Sequence, residues 1–248
     1  MKVVCLLLLF TSITNVGHAQ ATAPTPTSSS QEVETSAWMD AIGHRHQQLI
    51  DLNGPGIDSS LRAQLLDMGD ADQKIRTEVV QAAKVAGKQP DVTQLHATDV
   101  KLTSELKEIV ARAGWPTIHL VGFDASHAAM LILTHSEDRA WQLQMLPSLE
   151  KLASASKIDN SQLALLIDKE LVASGKLQMY GTQFKFTPGH IAMYAVEQPA
   201  TLDARRTDSM LPPIEVYKQM LYAAYNIPVS NETIPPNSSN ASSDVSPK

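Results

Sequence analysis

The stretch LRAQLLDMGDADQKIRTEVVQAA, Leu61 to Ala83, decides the fold class. Its apolar residues Leu61, Leu65, Met68, Ile75, Val79 and Ala82 follow the helical steps of three and four, with one gap at Asp72. That period makes one apolar stripe along an α-helix. The next segment repeats the design, with Val92, Leu95, Leu102, Leu106, Ile109 and Ala113 on one face and Asp99 in the seam. Between them, Gly87-Lys88-Gln89-Pro90-Asp91 supplies a helix-ending Gly, a Pro that stops the first helix and an Asp able to cap the second. The spacing predicts an antiparallel helical hairpin with a carboxylate in the seam of each helix.

Working outward, Gly114-Trp115-Pro116-Thr117 ends the second helix and Ile118 to Gly122 reads as a short extended stretch. Asp124, Ala125 and Ser126 open a third helix, dense in Ala, Met, Leu and Ile, whose stripe Ala125, Ala128, Ile132 runs on into His135 and Arg139. Residues 140 to 155 and 160 to 174 read as two more helices, the second carrying Asp168 in line with Ala164, Leu165 and Leu171. After Gly175 the period turns extended: Leu177 to Phe186 and Ile191 to Val196 flank Thr187-Pro188-Gly189-His190, which suits a type II turn. A lone hairpin is marginal in water, so it is expected to lie against the helices. Pro213 to Asn226 closes the fold as a helix with Ile214, Tyr217 and Leu221 on one face. The fold class is therefore mainly α: a multi-helix globular domain over residues 36–226 with one small β-hairpin packed against it, α+β at most.

Both ends read differently. Met1-Lys2, the apolar run Val3 to Phe10 and the small residues of Gly17-His18-Ala19 have the form of a cleavable signal peptide over residues 1–19. Residues 20–35, rich in Ala, Thr, Pro and Ser, read as a flexible linker, and 227–248 as a disordered tail. Within that tail Asn231, Asn237 and Asn240 each begin an N-x-Ser/Thr triplet, a glycan acceptor in a eukaryotic secretory route and otherwise a chance feature of an Asn/Ser-rich segment. The expected location is periplasmic or secreted, with no transmembrane segment after signal cleavage.

Across 248 residues, 43% hydrophobic and 19% charged, the composition excludes collagenous, disulfide-stapled and wholly disordered classes. The formal net charge of −6 becomes −7 without Lys2, which argues against a nucleic-acid partner. The one cysteine, Cys5, lies in the signal, so disulfides, thiol catalysis and cysteine-ligated metals are not expected. No G-x-S-x-G, P-loop, G-x-G-x-x-G or H-E-x-x-H is present. His127 and His135, eight residues apart on one helix, are separated by about 12 Å, too far to share a metal ion. No cofactor and no metal are expected.

The candidate chemistry comes from recurrence: Asp72, Asp99, His135 and Asp168 each interrupt a predicted apolar face on a different helix. A buried carboxylate is costly unless it is paired, and Arg76, four residues after Asp72, is a partner in the favoured helical orientation. If the helices converge, His135 is the group able to exchange a proton, with Asp72 or Asp168 as its partner, so these three are the catalytic candidates. Arg76, Asp99, Tyr180, Gln183 and Arg206 are the ligand-binding candidates, the arginines as anion clamps and Tyr180 and Gln183 from a strand whose Gly181 suggests close approach. The same residues also fit a satisfied buried network, or helix-surface charges at the rims of the stripes.

The ordered set Asp72-Gln73 with Arg76, Gly114-Trp115-Pro116-Thr117 with Val121-Gly122, His135, Asp168, Gln178-x-Tyr180-Gly181-Thr182-Gln183, and Arg206 with Leu211-Pro212-Pro213 and Tyr217 resembles a bacterial family catalogued only as a domain of unknown function. The likeness covers roughly residues 60 to 220. The chain departs from that pattern at Lys169, where the family has Arg after the Asp, and at Thr134, where it has Gln before the His. The resemblance implies a shared fold and a shared polar site, and brings no activity with it. Two functions fit: an exported enzyme, foremost a hydrolase of a small envelope or extracellular ligand, or a non-catalytic periplasmic binding or interaction protein of scaffold or inhibitor type. The partner is accordingly an unknown small ligand or an envelope protein.

Overall fold

The computed structural model describes residues 29–83 and 91–236, and within it the chain is mainly helical with one small sheet. The order is α1 (Ser29–Asn53), α2 (Ser59–Ala83), α3 (Thr93–Ala113), α4 (Ile118–Val121), α5 (Phe123–His135), α6 (Arg139–Ser154), α7 (Asn160–Ala173), β1 (Phe184–Thr187), β2 (His190–Tyr194), α8 (Leu202–Asp208), α9 (Ile214–Tyr225) and β3 (Val229–Ile234).

The α2–α3 hairpin forms as its stripes dictate: Leu61, Leu65 and Met68 of α2 and Leu102, Leu106 and Ile109 of α3 are all buried in one core with α5, α6 and α7. Asp91 accepts a hydrogen bond from Thr93 N at 2.9 Å, and Gly114 ends α3 with φ of 75°. The remainder of the predicted joint, Gly87 to Pro90, lies outside the described residues, as do the signal of 1–19 and the tail beyond residue 236.

Helix α5 is the axis of the helical layer, packed by α2, α3, α4 and α7. Its alanines let neighbours approach: a Cβ placed on Gly69 of α2 would lie 2.8 Å from Cβ of Ala128. That contact brings the polar residue one turn along α2, Asp72, toward the C-terminal end of α5. A second core, Phe184, Ile191, Met193, Val196, Leu202, Tyr217 and Leu221, joins the sheet to α8 and α9.

Four expectations change. Ile118–Val121 is a helical turn rather than extended, because Thr117 Oγ1 accepts from Leu120 N at 3.3 Å and caps it. The linker read over 20–35 overlaps a helix that begins at Ser29, whose later turns are anchored: Trp38 Nε1 donates to Leu211 O at 3.1 Å and Asn53 Nδ2 to Ser156 O at 2.8 Å. The first strand is short, since residues 177–183 form a loop instead of its first half. The fold continues past Asn226, because β3 adds to β2 in parallel and makes a three-stranded sheet of order β1-β2-β3. Composition misjudged that strand because a ladder uses backbone groups: Ile191 N donates to Pro228 O and Ala195 N to Ile234 O, both at 2.8 Å.

Candidate functional site

Four of the predicted residues meet. His135, the last residue of α5, and Asp72 of α2 are both buried, and His135 Nδ1 lies 2.7 Å from Asp72 Oδ1 and 3.0 Å from Oδ2. A carboxylate only accepts, so Nδ1 carries the hydrogen and Nε2 carries the lone pair. Arg76 Nε donates to Asp72 Oδ1 at 3.1 Å, as the four-residue spacing on α2 predicts, and Gln73 Nε2 donates to Oδ2 at 2.7 Å. The Arg76 Nη2 then bridges to Asp99 Oδ1 of α3. Arg76 thus pairs with two buried carboxylates, and the carboxylate of Asp72 is hydrogen-bonded on both oxygens.

Protonation follows from these contacts. Burial pushes Asp72 upward, yet the His135 and Arg76 donors prevail and hold it at about 2. Burial lowers His135 to about 4 against the opposing pull of Asp72, so the imidazole is neutral at neutral pH. Burial raises Asp99 to about 6, with Arg76 pulling it down and Asp72 and Glu137 pushing it up.

Two residues absent from the sequence reading stand at this cluster. His96 Nδ1 lies 2.5 Å from Glu137 Oε1, and the charges of both bias the ionisation of Asp99. His96 had a legible signal: His96, Asp99 and Thr103 follow steps of three and four along one face of α3. Glu137 had none, because it follows His135 through a non-helical step. Lys169, next to Asp168, donates to Thr134 O at 2.8 Å and Ser136 O at 3.1 Å and adds a positive field that depresses His135. His127, by contrast, pairs with Asp159, which caps the N-terminus of α7.

The other candidates do not join the cluster. Asp168 accepts from the backbone N–H groups of Met179, Tyr180 and Thr182 at 2.7 to 3.1 Å and from Thr182 Oγ1 at 2.9 Å. It is completely buried and clamps the loop 178–183; it is not the partner of His135. Burial pushes its carboxyl upward and the four donors oppose this. Gly181 turns in that loop at φ of 64°, where a side chain would be strained. Tyr180 packs on Ala164, Leu165 and Leu211, and Gln183 is buried with its amide donating to Leu165 O at 3.3 Å and to Thr182 Oγ1 at 3.1 Å. Arg206 is not an anion clamp either: it is wholly buried over the Tyr217 ring and donates to Tyr180 O, Gly181 O and Pro212 O. Its Nε and Nη1 are taken by these carbonyls, while its Nη2 is buried without a partner.

One family model matches residues 59–230, from the first residue of α2 into β3, and its description is a family of unknown function, DUF6624. The chain belongs to that family. No curated protein and no solved structure matches it. The Asp72–His135 cluster and the Asp168 clamp both fall inside the DUF6624 match, whereas all of α1 and most of β3 lie outside it. Among the described residues no three His, Cys, Asp or Glu side chains are arranged to hold a metal ion, and no helix is long and apolar enough to cross a membrane.

Proposed function

We propose that this DUF6624 protein is an exported hydrolase of a small envelope or extracellular ligand, with His135 as the general base and Asp72 as the group that orients it. The observation that carries the reading is a neutral, buried imidazole whose Nδ1 is held by an ionised carboxylate, while no group among the described residues hydrogen-bonds Nε2. In that state Nε2 accepts a proton from water as the water oxygen attacks the electrophile. Asp72 stabilises the imidazolium, which returns the proton to the leaving group, so the imidazole is unchanged over the cycle. Arg76 keeps Asp72 ionised and fixed, and acts on the reaction through it. Export is part of the proposal and rests on the signal-like residues 1–19.

The test compares wild type with His135→Gln on a panel of ester, amide and phosphoester model substrates. Glutamine can still donate to Asp72, so the variant is expected to fold, as checked by circular dichroism, and to lose turnover. Equal turnover by the two proteins refutes the base role. Binding without turnover in either protein favours the competing reading, a periplasmic binding or interaction protein, which the saturation of Arg76 by two carboxylates supports.

A further inference from the structure

The cluster closes on itself. His135 bonds Asp72, Asp72 and Asp99 share Arg76, the charges of His96 and Glu137 act on Asp99, His96 bonds Glu137, and Glu137 follows His135 by two residues. Three elements, α2, α3 and the turn after α5, therefore supply the cluster, and its groups are unequally satisfied. Arg76 is spent on two carboxylates and Lys169 on two carbonyls. The incomplete groups are acceptors: Asp99 is 7% exposed and uses Oδ1 on Arg76, while no group among the described residues hydrogen-bonds its Oδ2. Thr103, one turn further along the same face of α3, is as deeply buried, and its hydroxyl lacks a partner. A buried polar group in a folded protein is nearly always paired, so the orphan Thr103 hydroxyl, one helical turn from a carboxylate oxygen that no described group bonds, marks a place for a hydrogen-bonding ligand.

We propose that the site takes a substrate bearing an organic cation, an amino or guanidino group, whose N–H donors bond Asp99 Oδ2 with Glu137 beside it. This rests on the Asp72–His135 reading and names the substrate class of that site. Asp72, Asp99 and Glu137 outnumber the two cations at the cluster, Arg76 and Lys169, which leaves it net negative, so it repels phosphate and carboxylate ligands and attracts a cation. The donor set lacks the convergence a metal ion needs, so a group that brings its own N–H bonds is the better occupant.

The test titrates the folded protein with agmatine and, separately, with inorganic phosphate, following the side-chain nitrogen resonances of His96 and His135. Agmatine is expected to saturate and shift both, and phosphate to give no saturable change. Asp99→Asn should weaken agmatine about tenfold or more, since a charge-assisted bond is lost. Glu137→Gln, a half-exposed position that leaves the buried ion pairs intact, should weaken it less. Affinity should rise about tenfold from pH 5 to pH 7, as Asp99 ionises against Arg76, Asp72, Glu137, His96 and the neutral His135. Saturation by phosphate, or agmatine binding unchanged in Asp99→Asn, overturns the proposal. The two readings fail separately: His135→Gln that abolishes turnover while agmatine does not bind sinks only this one. Agmatine binding with equal turnover in His135→Gln sinks only the general base.

Discussion

Replacing Asp168 with Asn exchanges one buried oxygen for an NH2 and leaves the volume nearly unchanged. Asn Oδ1 can keep the bonds from Met179 N and Tyr180 N, which meet Asp168 Oδ1 at 2.7 and 3.0 Å. The new NH2 then faces Thr182 N–H, which donated to Oδ2 at 2.9 Å, donor against donor, while the Thr182 hydroxyl can rotate to accept. One charge-assisted bond is lost and one buried N–H is orphaned, about 2–4 kcal/mol together. For a folded part of this size that is a fall of roughly 5–15 °C in melting temperature. Urea denaturation and thermal melts at pH 7 measure it, with Thr182→Val as a graded control expected to lose about 1 kcal/mol. The His135 resonances should not move, because Asp168 does not touch that imidazole. Stability within about 0.5 kcal/mol of wild type, or a displaced His135 signal, would refute the clamp and return Asp168 to the site.

Arg76→Met leaves Asp72 and Asp99 buried without their shared guanidinium and should cost about 3–5 kcal/mol at pH 7.5 by urea denaturation. The loss should shrink as pH falls from 7.5 toward about 6, because Asp99 without Arg76 takes up its proton at a higher pH than in the wild type, and a pH-independent loss would contradict the shared ion pair. His135 is held at about 4, below its ordinary 6.5, so its contribution to stability is complete above pH 6.5 and is lost as pH falls through about 4. His135→Gln should therefore lose less stability than wild type between pH 7 and pH 4.5, read from urea midpoints. Gly69→Ala places a methyl 2.8 Å from Ala128 Cβ, so α2 must move off α5. The expected cost is about 1–3 kcal/mol with a weakened Asp72–His135 bond, visible as a shifted His135 Nδ1 resonance.

Much of the helical architecture was legible because burial of one face imposes a period. The seams of α2, α3 and α5, and the charges interrupting them, could be read from spacing alone. The ion pair of Asp72 with Arg76 was legible for the same reason, since residues four apart on a helix are neighbours whatever the rest of the chain does. The strand β3 was hidden because its stability comes from backbone bonds to β2, which leave little trace in composition. The loop 178–183 was misread as strand because Gln, Tyr and Thr suit an extended pattern, and the opposing Asp168 is ten residues before it.

Spacing along the chain shows that several helices carry charged residues inside apolar stripes, and that one of these charges has a local partner. How those charges divide emerges only once the helices are packed. Asp72, Arg76, Asp99 and His135 come together because Gly69 lets α2 close on α5. Asp168 and Arg206 turn instead to the carbonyls and N–H groups of one loop. The physical reason is that periodicity reports which face of a helix is buried, whereas the partner of a buried charge is set by helix separation and rotation, long-range quantities that local spacing does not encode.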